Sequence, residues 1–273
     1  MDTIFAQLAE LAKSLVAIGV RPVICGGLGV YIRFYDKSRS SEQMLRTTND
    51  IDLMLVESDI MVQAKRKAIA DVIIDELRYA VREDGRCFRF KKAIDQELDI
   101  LTPPAKGIKV EGGRTKLVKS RLHGRITEEA EFIEMGLKKI SIPNLSKTEQ
   151  AKEIFVYVPS STNSLILKLF AFDDRIKKGD VGRAQAHAWD IYITMQLSTR
   201  EDFEEGQSLL AKHIDSPILR RAQSIVFESF STLDQQGWRQ LLQTADFHPE
   251  LDSAHKKVKL DVAMRRIVRW FTE

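Results

Sequence analysis

The chain has 273 residues, 44% hydrophobic and 30% charged, with a net charge of +3; this excludes a disordered polyelectrolyte and allows one large domain or two modest ones, two being favoured. So small a charge does not by itself call for nucleic acid. Two cysteines, Cys25 and Cys87, lie inside apolar runs with neither zinc spacing nor a disulfide framework, which fits a reducing cytoplasm. No apolar stretch reaches membrane length, and the opening Met1-Asp2-Thr3 lacks the segments of a signal.

Ile4, Leu8, Leu11 and Leu15 recur at helical spacing, predicting an amphipathic helix that ends near Gly19. Arg21-Pro22 then leads into a short strand, Val23-Ile24-Cys25. Gly26-Gly27-Leu28-Gly29 follows, and Val30 to Phe34 reads as a buried helix. Strand, glycine turn and helix can present backbone N–H groups to an anion, but tight helix-on-sheet packing needs glycines too. Asp36 to Arg46 is polar and reads as a mobile surface loop.

Thr47-Thr48-Asn49-Asp50-Ile51-Asp52-Leu53-Met54-Leu55-Val56 reads as a buried strand that opens on two acids of one parity. Asp50 and Asp52 therefore point the same way, their Cα atoms roughly 7 Å apart. Two carboxylates on one face of a core strand repel unless a positive charge sits between them, and magnesium suits that donor set. The alternative is a loop-to-strand junction with Asp50 at a turn and Asp52 solvated.

Ser58 or Asp59 is expected to cap a long helix through about Val81, buried along Ile69, Val72, Ile73, Leu77 and Val81. Asp84-Gly85 suggests a turn, and Cys87 to Lys91 alternates like a strand. A second strand, Gln96 to Leu101, ends before Pro103-Pro104; its parity sets Asp99 opposite Leu98 and Ile100, so a third carboxylate joins the pair if the two strands are neighbours. From Lys106 to Arg125 the bases Lys106, Lys109, Arg114, Lys116, Lys119, Arg121 and Arg125 face one acid, Glu111, with Gly107, Gly112 and Gly113 between them. That run suits phosphates or a lysine-protected edge strand equally. Lys138 to Ile142 and Ile154 to Val158 are further strands, joined by a polar connection at Asn144 to Lys152.

Beyond Pro159 the pattern is helical. Ser160 or Ser161 caps a helix with the stripe Leu165, Leu169, Phe172 and Ile176; Lys168 and Arg175 emerge together on another face. Lys177-Lys178-Gly179-Asp180 breaks it, and Arg183 to Met195 carries His187 and Asp190 on one face. Helices follow at about Arg200 to His213, Ser216 to Phe230, Leu233 to Thr244 and Ser253 to Phe271. The expected class is α+β: a mixed β-sheet flanked by helices over residues 1–158, then a helical domain over 159–273.

The ordered set Gly26-Gly27, Asp50-Ile51-Asp52 and Asp99 resembles the nucleotidyltransferase superfamily of the DNA polymerase β fold. From Gly26 to Leu53, and again at Leu165 to Arg175 and His187 to Tyr192, the chain is similar to the AbiEii-like toxin nucleotidyltransferases of type IV toxin–antitoxin and abortive-infection systems. The resemblance implies an enzyme that moves a nucleoside monophosphate from an NTP to a hydroxyl, with residues 1–158 as the catalytic domain and the helical domain contributing Lys168 and Asp190 to its cleft. Asp50 and Asp52 would bridge two Mg2+ ions, Asp99 would complete the nucleophile's metal site, and Lys168, with Arg175 assisting, would contact the triphosphate beside Gly26 and Gly27. Asp190 would orient Lys168 or the acceptor.

The implied acceptor is a macromolecule, a tRNA 3′ end as in toxin relatives, with a cognate antitoxin as protein partner and no membrane. The C-terminal bases Lys256, Lys257, Lys259, Arg265, Arg266 and Arg269 lean the same way. A small-molecule acceptor, as in antibiotic-modifying members, and a non-catalytic nucleotide- or protein-binding module are the alternatives; three clustered acids speak against the last. Leu28 departs from the pattern, since many members place a serine there, and the interval from Gly27 to Asp50 is wide.

Overall fold

The computed structural model describes residues 2–41, 45–82, 88–93, 96–104, 110–111, 114–116, 122–142 and 154–272. Cys87, the Asp84-Gly85 turn, the Asn144 to Lys152 connection, and Lys106, Gly107, Lys109, Gly112, Gly113, Lys119 and Arg121 of the basic run lie outside them. The chain is a mixed α and β protein that divides into two units, one of Met1–Arg33 with Thr47–Pro159, the other of Phe34–Arg46 with Ser160–Glu273.

The first unit opens with α1 (Asp2–Ala17), β1 (Val23–Ile24) and α2 (Gly26–Ser41), whose last turns belong to the second unit. β2 (Asp50–Met54) leads to α3 (Glu57–Ile60), α4 (Gln63–Ala70) and a π-helical stretch, Asp71–Glu76. Then come β3 (Ala80–Val81), β4 (Arg89–Ala93), β5 (Gln96–Thr102), β6 (Val110–Glu111), β7 (Arg114–Lys116), β8 (His123–Ile126), β9 (Lys138–Ser141) and β10 (Phe155–Val158). Among the described residues they form one mixed sheet in the order β6-β7-β8-β5-β2-β1-β10-β9, with β4 also on β5 and β3 on β4. β2 lies parallel to β5 and antiparallel to β1. The apolar parity of the central strands, Ile51 and Leu53 on β2 with Leu98 and Ile100 on β5, is fully buried under Leu8, Leu11, Leu15, Ile69 and Ile73. The opposite parity of the same strands carries the acids.

Two expectations are corrected here. The long helix after β2 is instead three helical pieces, and Val81 is an exposed strand residue rather than a helical core position. Arg78 at φ 61 stops the helical run, a backbone turn that no interruption in the apolar spacing announces. Asp36 to Ser41 is helical rather than a loop. Its polar side chains find partners: Ser38 Oγ donates to Tyr35 O at 2.8 Å, and Lys37 Nζ lies 3.6 Å from Asp202.

The second unit holds α5 (Ser161–Lys177), α6 (Val181–Leu197), α7 (Arg200–Lys212), α8 (Pro217–Ser229), α9 (Gln236–Leu242) and α10 (Ser253–Thr272). Side chains at the caps set the starts: Ser160 accepts from Asn163 N–H, Asp180 from Arg183 N–H, and Thr199 with Asp202 forms a reciprocal capping box. α5 packs against α6 and α8, and α6 against α9 and α10. Phe172, Phe230 and Trp238 meet edge to face at the centre, and Trp238 Nε1 donates to Phe230 O at 2.9 Å. Arg266 donates to Gln196 O and Ser198 O at the end of α6, so this base of the C-terminal helix serves the fold. Among the described residues no helix is long and apolar enough to cross a membrane.

Candidate active site

The acids meet through strand register. Parallel pairing sets Asp52 directly opposite Asp99 and Asp50 opposite Glu97, so side chains of one parity on two adjacent strands share a face. Asp50 is exposed at the first residue of β2, its N–H 3.4 Å from Thr48 Oγ1, while Asp52 and Asp99 are half-buried. Removal from water pushes the Asp99 carboxyl up to about 6; the negative charge of Asp52 adds to this, Arg89 opposes it, and Asp50 and Glu97 add a little more. Arg89 on β4 stands opposite Asp99, its Nε 3.3 Å from Oδ2.

The glycine turn closes on the same acids. Cys25 N–H donates to Asp52 O at 2.8 Å, after which Gly26, at φ 65, turns the chain into α2. A Cβ on Gly26 would stand 1.8 Å from Asp52 Oδ2, so only glycine leaves the carboxylate this place against the helix start. Gly29 serves packing, since a Cβ there would meet Ile24 O at 2.4 Å. Gly27 is buried within α2, and Leu28 is a core residue with no exposure, so any phosphate contact in this turn falls to backbone N–H groups.

By donor chemistry Asp50, Asp52 and Asp99 fit a hard divalent cation: oxygen donors only, on one face, with the charges of Asp52 and Asp50 helping to raise the Asp99 carboxyl. Among the described residues no three His, Cys, Asp or Glu side chains stand in ready coordination geometry; Asp99 is engaged by Arg89.

In the second unit, Lys168 does not emerge at the surface as its helical position suggested. It is buried, with Nζ 2.6 Å from Asp190 Oδ2, and Arg46 Nη2 lies 3.2 Å from the same oxygen. Burial pushes the Asp190 carboxyl up, but Lys168 and Arg46 more than offset it and hold it below the ordinary range. Asp190 thus pairs with both Lys168 and Arg46 within one unit. His187, one turn earlier on α6, is driven down to about 3 by burial and by Lys168, with Arg46 and Arg175 adding to this against Asp190; its Nδ1 is buried without a hydrogen-bond partner among the described residues. Arg175 reaches Asp180 at 3.5 Å.

Sequence reasoning passed over Arg89 and Arg46. For Arg89 the signal was present, because buried Phe90 assigns Arg89 and Lys91 to the parity of the acids. For Arg46 there was none, its partner being 144 residues away.

Comparison of the chain with protein-family models, with curated proteins and with solved structures finds no match in any of the three.

Proposed function

We propose that the protein is a Mg2+-dependent nucleotidyltransferase that moves a nucleoside monophosphate from an NTP to a hydroxyl of a macromolecular acceptor such as a tRNA 3′ end, in the manner of a toxin with a cognate antitoxin. The observation that carries the reading is the pairing of Asp52 with Asp99 across two parallel strands, with Asp50 two residues along the same face. A purely structural sheet face gains nothing from like charges directly opposite each other on adjacent strands, whereas in-line phosphoryl chemistry needs clustered oxygen donors. When bound there, magnesium neutralises charge on the attacking and leaving oxygens. Asp50 and Asp52 would hold it from one strand and Asp99 from the next, and a metal held by these acids would favour loss of the attacking hydroxyl's proton. Gly26 keeps the helix start close to Asp52.

The test is incubation with Mg2+, labelled triphosphates and total RNA, beside small alcohols. Label in RNA that disappears in Asp52→Ala, with the fold intact by circular dichroism, is the expected result. Label on a small alcohol instead would replace the acceptor, and an Asp52→Ala protein of unchanged activity would remove the site. Lys168 and Arg175 are assigned to the triphosphate by resemblance; unchanged transfer in folded Lys168→Met would remove that part.

A further inference from the structure

The acidic face has an ordered set of counter-ions. Across β2, β5 and β4 one row reads Asp52, Asp99, Arg89, and the row two residues along reads Asp50, Glu97, Lys91. In the second row Glu97 is held by Arg82, whose Nη1 lies 2.8 Å from each carboxylate oxygen. In the first row Arg89 meets Asp99 at 3.3 Å, both side chains less than a fifth exposed, 19% and 18%. Strand pairing, not a loose surface chain, sets this contact, and a guanidinium cannot lose its charge to make room. A divalent cation on the acidic face would therefore meet an Asp99 charge already partly neutralised by Arg89.

We propose that Arg89 is the resident counter-ion of Asp99 and lowers the affinity of the acidic face for a divalent cation, which must bind Asp99 against the charge of the guanidinium. The inference rests on the metal-dependent reading above. It makes Arg89 a positioning residue, holding the third acid in place and opposing the charge of an entering metal.

The experiment is titration of the full chain with Mn2+ alone, followed calorimetrically and by the paramagnetic resonance of free Mn2+. Charge-assisted contacts of this kind make Arg89→Gln bind Mn2+ at least roughly tenfold more tightly than the unmodified protein. Arg89→Lys, which keeps a charge but not the planar fork, falls between them and serves if the glutamine variant does not fold. In an Asp99→Asn background the glutamine substitution changes nothing, a result that a general loosening of β4 would not give. Affinity that is unchanged or weaker in both Arg89 variants overturns the inference while leaving the metal site standing. Absence of Mn2+ binding sensitive to Asp52→Ala, in every variant, overturns the metal-dependent reading itself and the inference with it.

Discussion

Gly26→Ala isolates the contact on which the acidic face is built. A left-handed φ of 65 costs an alanine about 1 kcal/mol on its own. Gly19 and Gly179 measure that cost alone, because they have φ of 72 and 70 and no described atom within 4 Å of an added Cβ. At Gly26 the same Cβ would also stand 1.8 Å from Asp52 Oδ2 and 2.7 Å from its Cγ, so the carboxylate must swing out of its rotamer, adding about 1–2 kcal/mol. Urea unfolding at constant m-value should therefore show Gly26→Ala losing roughly 2–3 kcal/mol against about 1 for the two controls. In an Asp52→Ala background the carboxylate is gone, and the excess over the controls should vanish, a coupling of about 1–2 kcal/mol. Equal losses at all three glycines, or an excess that persists without the Asp52 carboxylate, would refute the placement of this acid against the helix start.

Asp99→Asn should stabilise the metal-free protein at pH 7.5 by about 3 kcal/mol, because a carboxyl raised from 3.8 to about 6 costs about 1.4 kcal/mol per pH unit to ionise in place. The sign follows from proton uptake: between pH 4 and 6 the folded state holds more protons than the unfolded, so this group's contribution falls as pH rises through that window and is flat in the asparagine variant. Urea midpoints in chelator across pH 4 to 8 check it, and a destabilised Asp99→Asn at pH 7.5 contradicts it. Lys168→Met leaves Asp190 buried with Arg46 as its remaining cation and should cost about 3–5 kcal/mol, most of it recovered in Lys168→Met/Asp190→Leu; a single variant within 1 kcal/mol, roughly, of the parent would deny the buried pair. His187, lowered to about 3, should show no titration of its ring protons by NMR from pH 8 to pH 5. A midpoint near its ordinary value would mean that the surrounding cations lie elsewhere.

What was legible in the sequence was parity; what was not was register and distant partnership. Asp50 and Asp52 on one side of β2, and Asp99 opposite Leu98 and Ile100 on β5, follow from a side-chain period of two. That Asp99 stands beside Asp52 rather than beside Asp50 depends on how a parallel strand returns after the intervening helical pieces and β4, and no local signal specifies it. The same limit hid Arg46. In a polar stretch it looks solvated, and only the fold brings it to Asp190. The helical run after β2 was misjudged for the opposite reason, since Ile69, Val72, Ile73 and Leu77 keep an apolar stripe that conceals both the π-helical winding and the stop at Arg78.

The acidic face is a local conflict that the fold sustains. Leu98 and Ile100 would anchor β5 whatever stood on its other side, yet that side holds an acid raised to about 6, between a second acid and an arginine on the neighbouring strands. A threonine at position 99 would suit the sheet better, being uncharged and of good strand propensity. Where every packing choice around one residue agrees with the fold and that residue does not, its chemistry answers to something outside the fold. Asp190 shows the contrast: it too is buried and charged, but Lys168 and Arg46 hold its carboxyl below the ordinary range, so it stabilises its surroundings at neutral pH. Asp99, with Arg89 opposite it on one side and Asp52 on the other, keeps a carboxyl raised to about 6 instead.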